Sequence, residues 1–349
     1  MTDENVTCPY PAKYEATLFP TIYSVVFIVG LFGNVTAVGV IALHIRRKNV
    51  LGIYLANLCA SDLIYIFTLP IWTVYTAKED WQFGALTCKI VGFFFNTNLY
   101  STISFLSCIA IDRFLGTVFP MHSRTLRNMK AAMIICGIVW VIILGTHSVF
   151  LSRDELFNAT QDIELCYEKY PMDQWMAHLN YFRIFVVFVI PLVLLVFSYC
   201  SIIWAIHHSP SLEKRQKRKI TSLLLALIGI FVVCYLPYHV VLFIRSYASD
   251  VSINTCNLES KIRPAYRITF ALTSLASALD PFINIFVSDH VKQDILEQLR
   301  DIWNSLRLKR QQETEGRPYL KTVCDASKLP KNIDQGLLEI NQSKPQTKL

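Results

Sequence analysis

Four sets of side chains in this 349-residue chain are of types and at positions that could do chemistry. Asp62 and Asp280 each interrupt an otherwise apolar run. An ionisable group there is expensive unless it faces other helices, so each marks a functional position by default. Two carboxylates sharing a partly dry site could not both ionise cheaply and would titrate as a pair. Asp112 and Arg113 place an acid beside a base at the end of another run. Arg183, Arg245 and Arg267 stand near one end of three further runs, where guanidinium forks suit a carboxylate or phosphate head group and aromatic walls below could hold an acyl chain. His147, His178 and His239 lie toward that same end, and an unperturbed imidazole titrates near about 6.5.

Other chemistries are excluded by what these residues lack. No His-Glu-x-x-His, Gly-rich phosphate loop or paired Cys-x-x-Cys is present, which argues against an enzyme. No lysine lies between Arg263 and Val287, so a light sensor with a Schiff base in its last run is excluded. The halves show no internal symmetry of the kind a transporter carries.

The elements that must position these groups follow from composition. Hydrophobic residues make up 53% of the chain and charged residues only 17%, against about 25% in soluble domains. Seven apolar runs near spanning length cover 19–44, 51–76, 88–117, 131–151, 180–206, 220–246 and 264–288. The expected fold is an all-α membrane protein, a bundle of seven transmembrane helices. Basic residues cluster on alternate loops, at Arg46 to Lys48, Arg124 to Lys130 and Lys214 to Lys219. Those loops are therefore expected inside the cell, with the amino terminus outside, at the plasma membrane. The net charge of +7 is a topology signal and not a nucleic-acid footprint.

The third run is expected at the centre. From Cys88 to Arg113 about 25 steps of about 1.5 Å give a rod of roughly 38 Å, enough to touch both compartments. Its apolar interior carries Asn96, Thr97, Asn98, Tyr100, Ser101, Thr102 and Ser104, which must face other helices in hydrocarbon. Pro237 in the sixth run, near Phe231 and Tyr235, removes a backbone hydrogen bond and supplies a hinge.

The flanking segments divide in the same way. Residues 1–18 read as an outer tail, 19–288 as the helix bundle, 289–306 as a cytoplasmic amphipathic helix 8, and 307–349 as a disordered tail. Asn5 and Asn158 sit in glycosylation sequons on outer segments. Loop 152–178 is long, acidic and read as a lid. Cys8, Cys88, Cys166 and Cys256 fall outside and admit three pairings.

Asn34, Asp62, Cys88 with Cys166, Asp112-Arg113-Phe114, Trp140, Pro191, Phe231 with Cys234 and Pro237, and Asp280-Pro281 fall one per span or loop. In that order the chain resembles the rhodopsin-like (class A) G-protein-coupled receptors over about residues 15–305. Leu51-Gly52-Ile53-Tyr54-Leu55, Thr68-Leu69-Pro70-Ile71-Trp72, Cys166-Tyr167-Glu168-Lys169-Tyr170-Pro171-Met172, Pro237-Tyr238-His239-Val240 and Tyr266-Arg267-Ile268-Thr269 are similar to strings of the proton-sensing group, near the lysolipid and purinergic receptors. Two departures stand out: Ile143 occupies a position where acid-responsive members carry glutamate, and Asn284 one where they carry tyrosine.

The resemblance implies heterotrimeric G proteins, arrestin and receptor kinases as partners, and disulfides Cys88–Cys166 and Cys8–Cys256. Asp62 and Asp280 are expected to meet with Thr102 and Ser277 around them, as a proton-linked switch or as the seat of an allosteric sodium ion; no other cofactor is implied. Asp112 is expected to hold Arg113 at rest, with Tyr199 as inner partner and Asn284 weakening the active network. Extracellular protons are the expected stimulus, through the three histidines and the aspartates, and an anionic lipid, either a lysophospholipid or an oxidised fatty acid, or a nucleotide is the alternative. One pKa unit is worth about 1.4 kcal/mol, whereas shifting a population from 1:99 to 99:1 takes about 5.5 kcal/mol, so the proton scheme needs about four coupled sites.

Overall fold

Each of the seven apolar runs folds as a long helix. The computed structural model describes residues 15–287 apart from 125–126, 154–155, 161–162, 168–171, 211 and 252–254. The expected helix 8 over 289–306, the tail beyond it, Asn5 and Cys8 lie outside the described residues, as do the side chains of Asn158, Cys256 and Asn284. The helices are α1 (Glu15–Arg46), α2 (Leu51–Lys78), α3 (Gly84–Val118), α4 (Met129–His147), α5 (Gln174–His208), α6 (Lys214–Asp250) and α7 (Thr255–Val287). The first six are long and apolar enough to cross a membrane; α7 carries more polar residues, and its Ser274, Ser277 and Asp280 are buried.

Several helices start before their apolar runs, α7 by nine residues and α5 by six. Hydropathy senses only the stretch at hydrocarbon depth, whereas the intrahelical hydrogen bonds continue into the interface. Local signals set some ends. Asn128 caps α4 by accepting from the Ala131 amide at 2.9 Å, and Glu213 and Gln216 form a capping box at the start of α6. Pro237 lies within α6, at the place expected of a hinge.

Burial follows the expectation for α3. Its apolar and polar residues from Val91 to Asp112 are mostly buried, and it packs on α2, α4, α5 and α7. Polar side chains tie the bundle together across helix faces, as they must where water is absent. Trp140 Nε1 donates to Asn57 Oδ1 at 2.8 Å, Ser107 Oγ to the Pro191 carbonyl at 3.0 Å, and Asn34 Nδ2 to the Ser277 carbonyl at 3.0 Å. Apolar residues such as Phe32, Ile134, Val141 and Val193 face outward, toward lipid.

Two local features differ from the sequence expectation. α5 contains a π-helical segment, Arg183–Val189, directly before Pro191. A proline ring clashes with the carbonyl four residues earlier, here that of Val187, and a wider turn relieves the clash. Loop 152–178 is not structureless: β1 (Leu156–Thr160) pairs antiparallel with β2 (Ile163–Cys166), with Leu156 opposite Cys166. Backbone groups of a chain crossing the bundle mouth need partners, and a hairpin supplies them internally.

The hairpin is anchored to the α2–α3 corner. Cys88 and Cys166 form the expected disulfide, the Trp81 amide donates to the Glu164 carbonyl at 2.9 Å, and Asp80 Oδ1 accepts from the Glu164 amide at 3.0 Å. Tyr167, the next residue, then turns over α3 so closely that its ring occupies the place where a β-carbon on Gly92 would stand. Gly92→Ala is therefore expected to displace Tyr167 and lower stability by about 1–3 kcal/mol, as overpacking does. Thermal unfolding of the purified protein measures it, and the Gly92→Ala, Tyr167→Ala pair should lose less stability than Gly92→Ala alone.

Candidate functional site

At mid-depth α2, α3 and α7 bring Asp62 and Asp280 together, both fully enclosed and close enough to share a hydrogen bond. Asn98 on α3 organises the site. Its Nδ2 donates to Asp62 Oδ1 at 2.9 Å, and its Oδ1 accepts from Ser277 Oγ at 3.0 Å. Thr102 and Ser277 also face the Asp62 carboxyl. Asp62 Oδ2 and both oxygens of Asp280 have no hydrogen-bond partner among the described residues. Carboxylate and hydroxyl oxygens are the donor set that a hard cation takes, so Asp62, Thr102, Ser277 and Asp280 fit a sodium ion as well as a shared proton. Asn98 stands one helical turn before Thr102, and that spacing in the sequence was the signal for its place here.

Nearer the end of the bundle that carries the Cys88–Cys166 disulfide lies a cavity of about 80 Å³. A water needs roughly 10–15 Å³ of such space, so the cavity takes several waters or one compact head group. Aromatic rings of Trp72, Phe95, Tyr167, Tyr238, Tyr266 and Phe270 line it, with Phe95 and Phe270 stacked at 4.0 Å. Arg183, Arg245 and Arg267 all reach it, so the three arginines converge.

Their electrostatic states differ. Arg245 is bonded through Nε and Nη2 to the two oxygens of Glu259, at 2.8 and 3.2 Å, with both residues buried and its guanidinium 4.2 Å from the Tyr266 ring. Arg267 approaches Glu79 at 3.8 Å and lies over Phe19. Arg183 is 2% exposed, donates through Nη1 to Asn180 Oδ1 at 3.2 Å, and rests on Phe150 at 4.5 Å. Its Nε and Nη2 have no hydrogen-bond partner among the described residues. A buried guanidinium without an acid is costly, and it becomes favourable when an anion arrives. Glu259 was missed in the sequence because it stands ahead of the seventh apolar run, on a helical extension that hydropathy does not see.

The histidines separate into two kinds. His178 is exposed. His147 and His239 are 0% and 1% exposed, which corrects the expectation that outside acid reaches them freely. Each ring is held by Nδ1 to the carbonyl four residues back, Ile143 and Tyr235, both at 2.8 Å. His239 stacks on Phe188 at 3.8 Å, and His147 on Tyr100. Their Nε2 atoms have no partner among the described residues, and the cation Arg183 lies over the Tyr100 ring at 5.5 Å. Charge on either imidazole would be met by apolar rings and a like charge.

At the opposite end of the bundle, the one expected inside the cell, the expected pairing is corrected. Asp112 bonds not Arg113 but Arg127, Nε to Oδ1 at 2.9 Å and Nη2 to Oδ2 at 3.0 Å. A parallel fork of this kind matches carboxylate geometry, whereas adjacent residues on a helix do not face each other. The Asp112 carboxylate raises the Arg127 pKa further above its ordinary value, so this cation stays charged. Room for the fork comes from Gly116, where a β-carbon would overlap the Arg127 guanidinium. Arg113 keeps an unpartnered Nε among the described residues and lies within electrostatic reach of buried Tyr199. Phe231 and Tyr235 are packed in the core at the middle of α6. In the sequence Arg127 read only as one of the basic loop residues, and nothing in its spacing named its acid.

Comparison with known proteins agrees with this arrangement. Residues 33–283 match the family described as 7 transmembrane receptor (rhodopsin family). The chain is 35% identical over 298 residues to G-protein coupled receptor 68 of Mus musculus, covering 84% of this chain and 80% of that one. It is 35% identical over 299 residues to G-protein coupled receptor 65 of Homo sapiens, covering 83% and 86%. It is 33% identical over 296 residues to Lysophosphatidic acid receptor 6 of Mus musculus, covering 82% and 86%.

Replacing Arg127 by Ala leaves buried Asp112 without its fork. Because Arg127 is 29% exposed and Arg113 stands next in the chain, the expected loss is about 1–2 kcal/mol, below that of a fully buried pair. Thermal unfolding measures it, and Gly116→Ala should reproduce part of the loss without removing any charge.

Proposed function

This chain belongs to the rhodopsin family of seven-transmembrane receptors, multi-pass proteins of the plasma membrane that are not enzymes and couple to G proteins, and we propose that its trigger is an anion received at Arg183. The observation that supports this reading is the state of Arg183: buried, at the outer cavity, with Nε and Nη2 unpartnered among the described residues while Arg245 and Arg267 already face Glu259 and Glu79. A carboxylate or phosphate head group supplies the missing acceptors. The relatives named lysophosphatidic acid receptors direct the choice toward a lysophospholipid rather than a nucleotide or an oxidised fatty acid. In this reading the amino terminus is outside, the head group enters the aromatic cavity, and the acyl chain extends beyond its small volume.

Binding at α5 is then transmitted along α3 and through the Pro237 hinge of α6. The π-helical segment begins at Arg183 and ends beside Pro191, whose carbonyl Ser107 of α3 grips. Closing Arg183 on an anion therefore pulls on the segment of α5 bonded to α3. At the inner end the Asp112–Arg127 fork holds the resting state, and Arg113 with Tyr199 receives the heterotrimeric G protein once the helices part. Arrestin and receptor kinases follow on the same inner face. Arg183→Gln is expected to weaken lysophosphatidic acid about 10- to 100-fold, the worth of one charge-assisted pair, with unchanged maximal response. Guanine-nucleotide exchange on added G protein in liposomes reads this; an unaltered half-maximal concentration would remove the anion reading.

A second reading, activation by extracellular protons, rests on the Asp62–Asp280 pair, three of whose carboxylate oxygens have no partner among the described residues, so that full ionisation is costly. The enclosed histidines lend it little support. Protonation, or release of a sodium ion from the same oxygens, neutralises the pair, so activity is expected to rise as pH falls. Asp62→Asn and Asp280→Asn should each flatten the pH profile of nucleotide exchange. A profile that keeps its midpoint and height in both variants rules the pair out as the sensor.

A further inference from the structure

We propose that the inner ends of α5 and α6 form a binding site for the phosphate-bearing head group of an anionic membrane lipid, separate from the outer cavity. A cavity of about 500 Å³ opens there, walled by His207 on α5 and by Lys214, Lys217, Arg218, Thr221 and Leu225 on α6. Lys214, Lys217 and Arg218 are spaced three and four apart, which puts them on one face of the helix. The positive-inside rule explains why basic residues are at this end of the chain, but not why three of them wall a cavity.

The walls are held in place by the protein itself. Lys217 Nζ donates to the His207 carbonyl at 2.9 Å, and His207 Nε2 meets Thr221 Oγ1 at 3.2 Å, so α5 and α6 are joined across the site. No carboxylate among the described residues lines the cavity, and the neighbouring acid, Glu213, is engaged in the capping box of α6. Among the described residues three cations and a hydroxyl therefore face a volume of head-group size with no anion beside them. Lys and Arg near a membrane surface each add to attraction for anionic lipid.

The apolar rim identifies the source as lipid rather than soluble phosphate. Leu225, 55% exposed, continues the cavity wall along α6, and Trp204, 65% exposed on α5, lies against His208 at 4.5 Å. Tryptophan with one polar edge and one apolar body is the residue that settles at head-group depth. A chain-bearing phosphate meets cations and apolar wall together; a free phosphate meets only the cations.

The leaflet rests on the orientation proposed above, whereas binding does not, and the two are measured separately. The full-length protein, purified without agonist, is titrated with phosphatidylcholine vesicles with and without phosphatidylinositol bisphosphate, and with free inositol trisphosphate. Retained lipid is counted by native mass spectrometry. The wild type should retain the phosphoinositide, and Lys214→Gln, Lys217→Gln, Arg218→Gln together should weaken it roughly 100-fold. A charge-keeping variant, Lys214→Arg with Lys217→Arg, should bind as the wild type does, and Leu225→Gln should weaken the lipid but not inositol trisphosphate. Equal retention by the triple-Gln variant overturns the site, and inositol trisphosphate binding as tightly as the lipid overturns the lipid. Membrane-impermeant labelling of Lys214 on intact cells reports the orientation alone.

Discussion

The amide of Asn98 is the interaction on which the rest of the bundle depends. It gives a hydrogen bond to Asp62 of α2 and takes one from Ser277 of α7, while its own backbone belongs to the central helix α3. In hydrocarbon no water competes for these groups, so a polar side chain must find its partner within the protein. Three helices are thereby held in one rotational setting about their axes. That setting aims the outer half of α3 at the aromatic cavity and its inner half at the second basic loop.

Charge placement then distinguishes the two ends. At the hairpin end two arginines are matched to acids, and a third, Arg183, has no acid among the described residues. At the opposite end one acid, Asp112, is matched to a loop arginine, and the Nε of the adjacent Arg113 has no partner among the described residues. A buried ion without a counter-ion is a high-energy state that a ligand or partner protein can relieve. Among the described residues Arg183 at one end and the Nε of Arg113 at the other are left in this condition, and α3 and the proline-widened α5 run between the two ends.

Much of the fold was legible in the chain. Apolar runs of spanning length, alternating basic loops and polar residues within the third run follow from the solvent properties of a bilayer, which act on composition alone. The disulfide between Cys88 and Cys166 and the meeting of Asp62 with Asp280 came from the resemblance, and the structure places both pairs together. What could not be read were the helical extensions outside the hydrocarbon, the hairpin above the cavity and the π-helical turn before Pro191. Each depends on backbone partners and clashes that hydropathy does not register.

The sequence by itself determined which residues would be withdrawn from lipid, since the free energy of transferring a side chain into hydrocarbon depends on its type and depth. Only the tertiary structure decided which acid each arginine meets. Asp112 adjoins Arg113 in the chain yet bonds Arg127, because consecutive helical side chains diverge and the missing side chain at Gly116 opens a path from the loop. The sequence places His147 and His239 toward one end of their runs, but their enclosure by Tyr100 and Phe188 arises from helix rotation. Depth is a property of one segment; partnership is a property of two, and it exists only once the helices have packed.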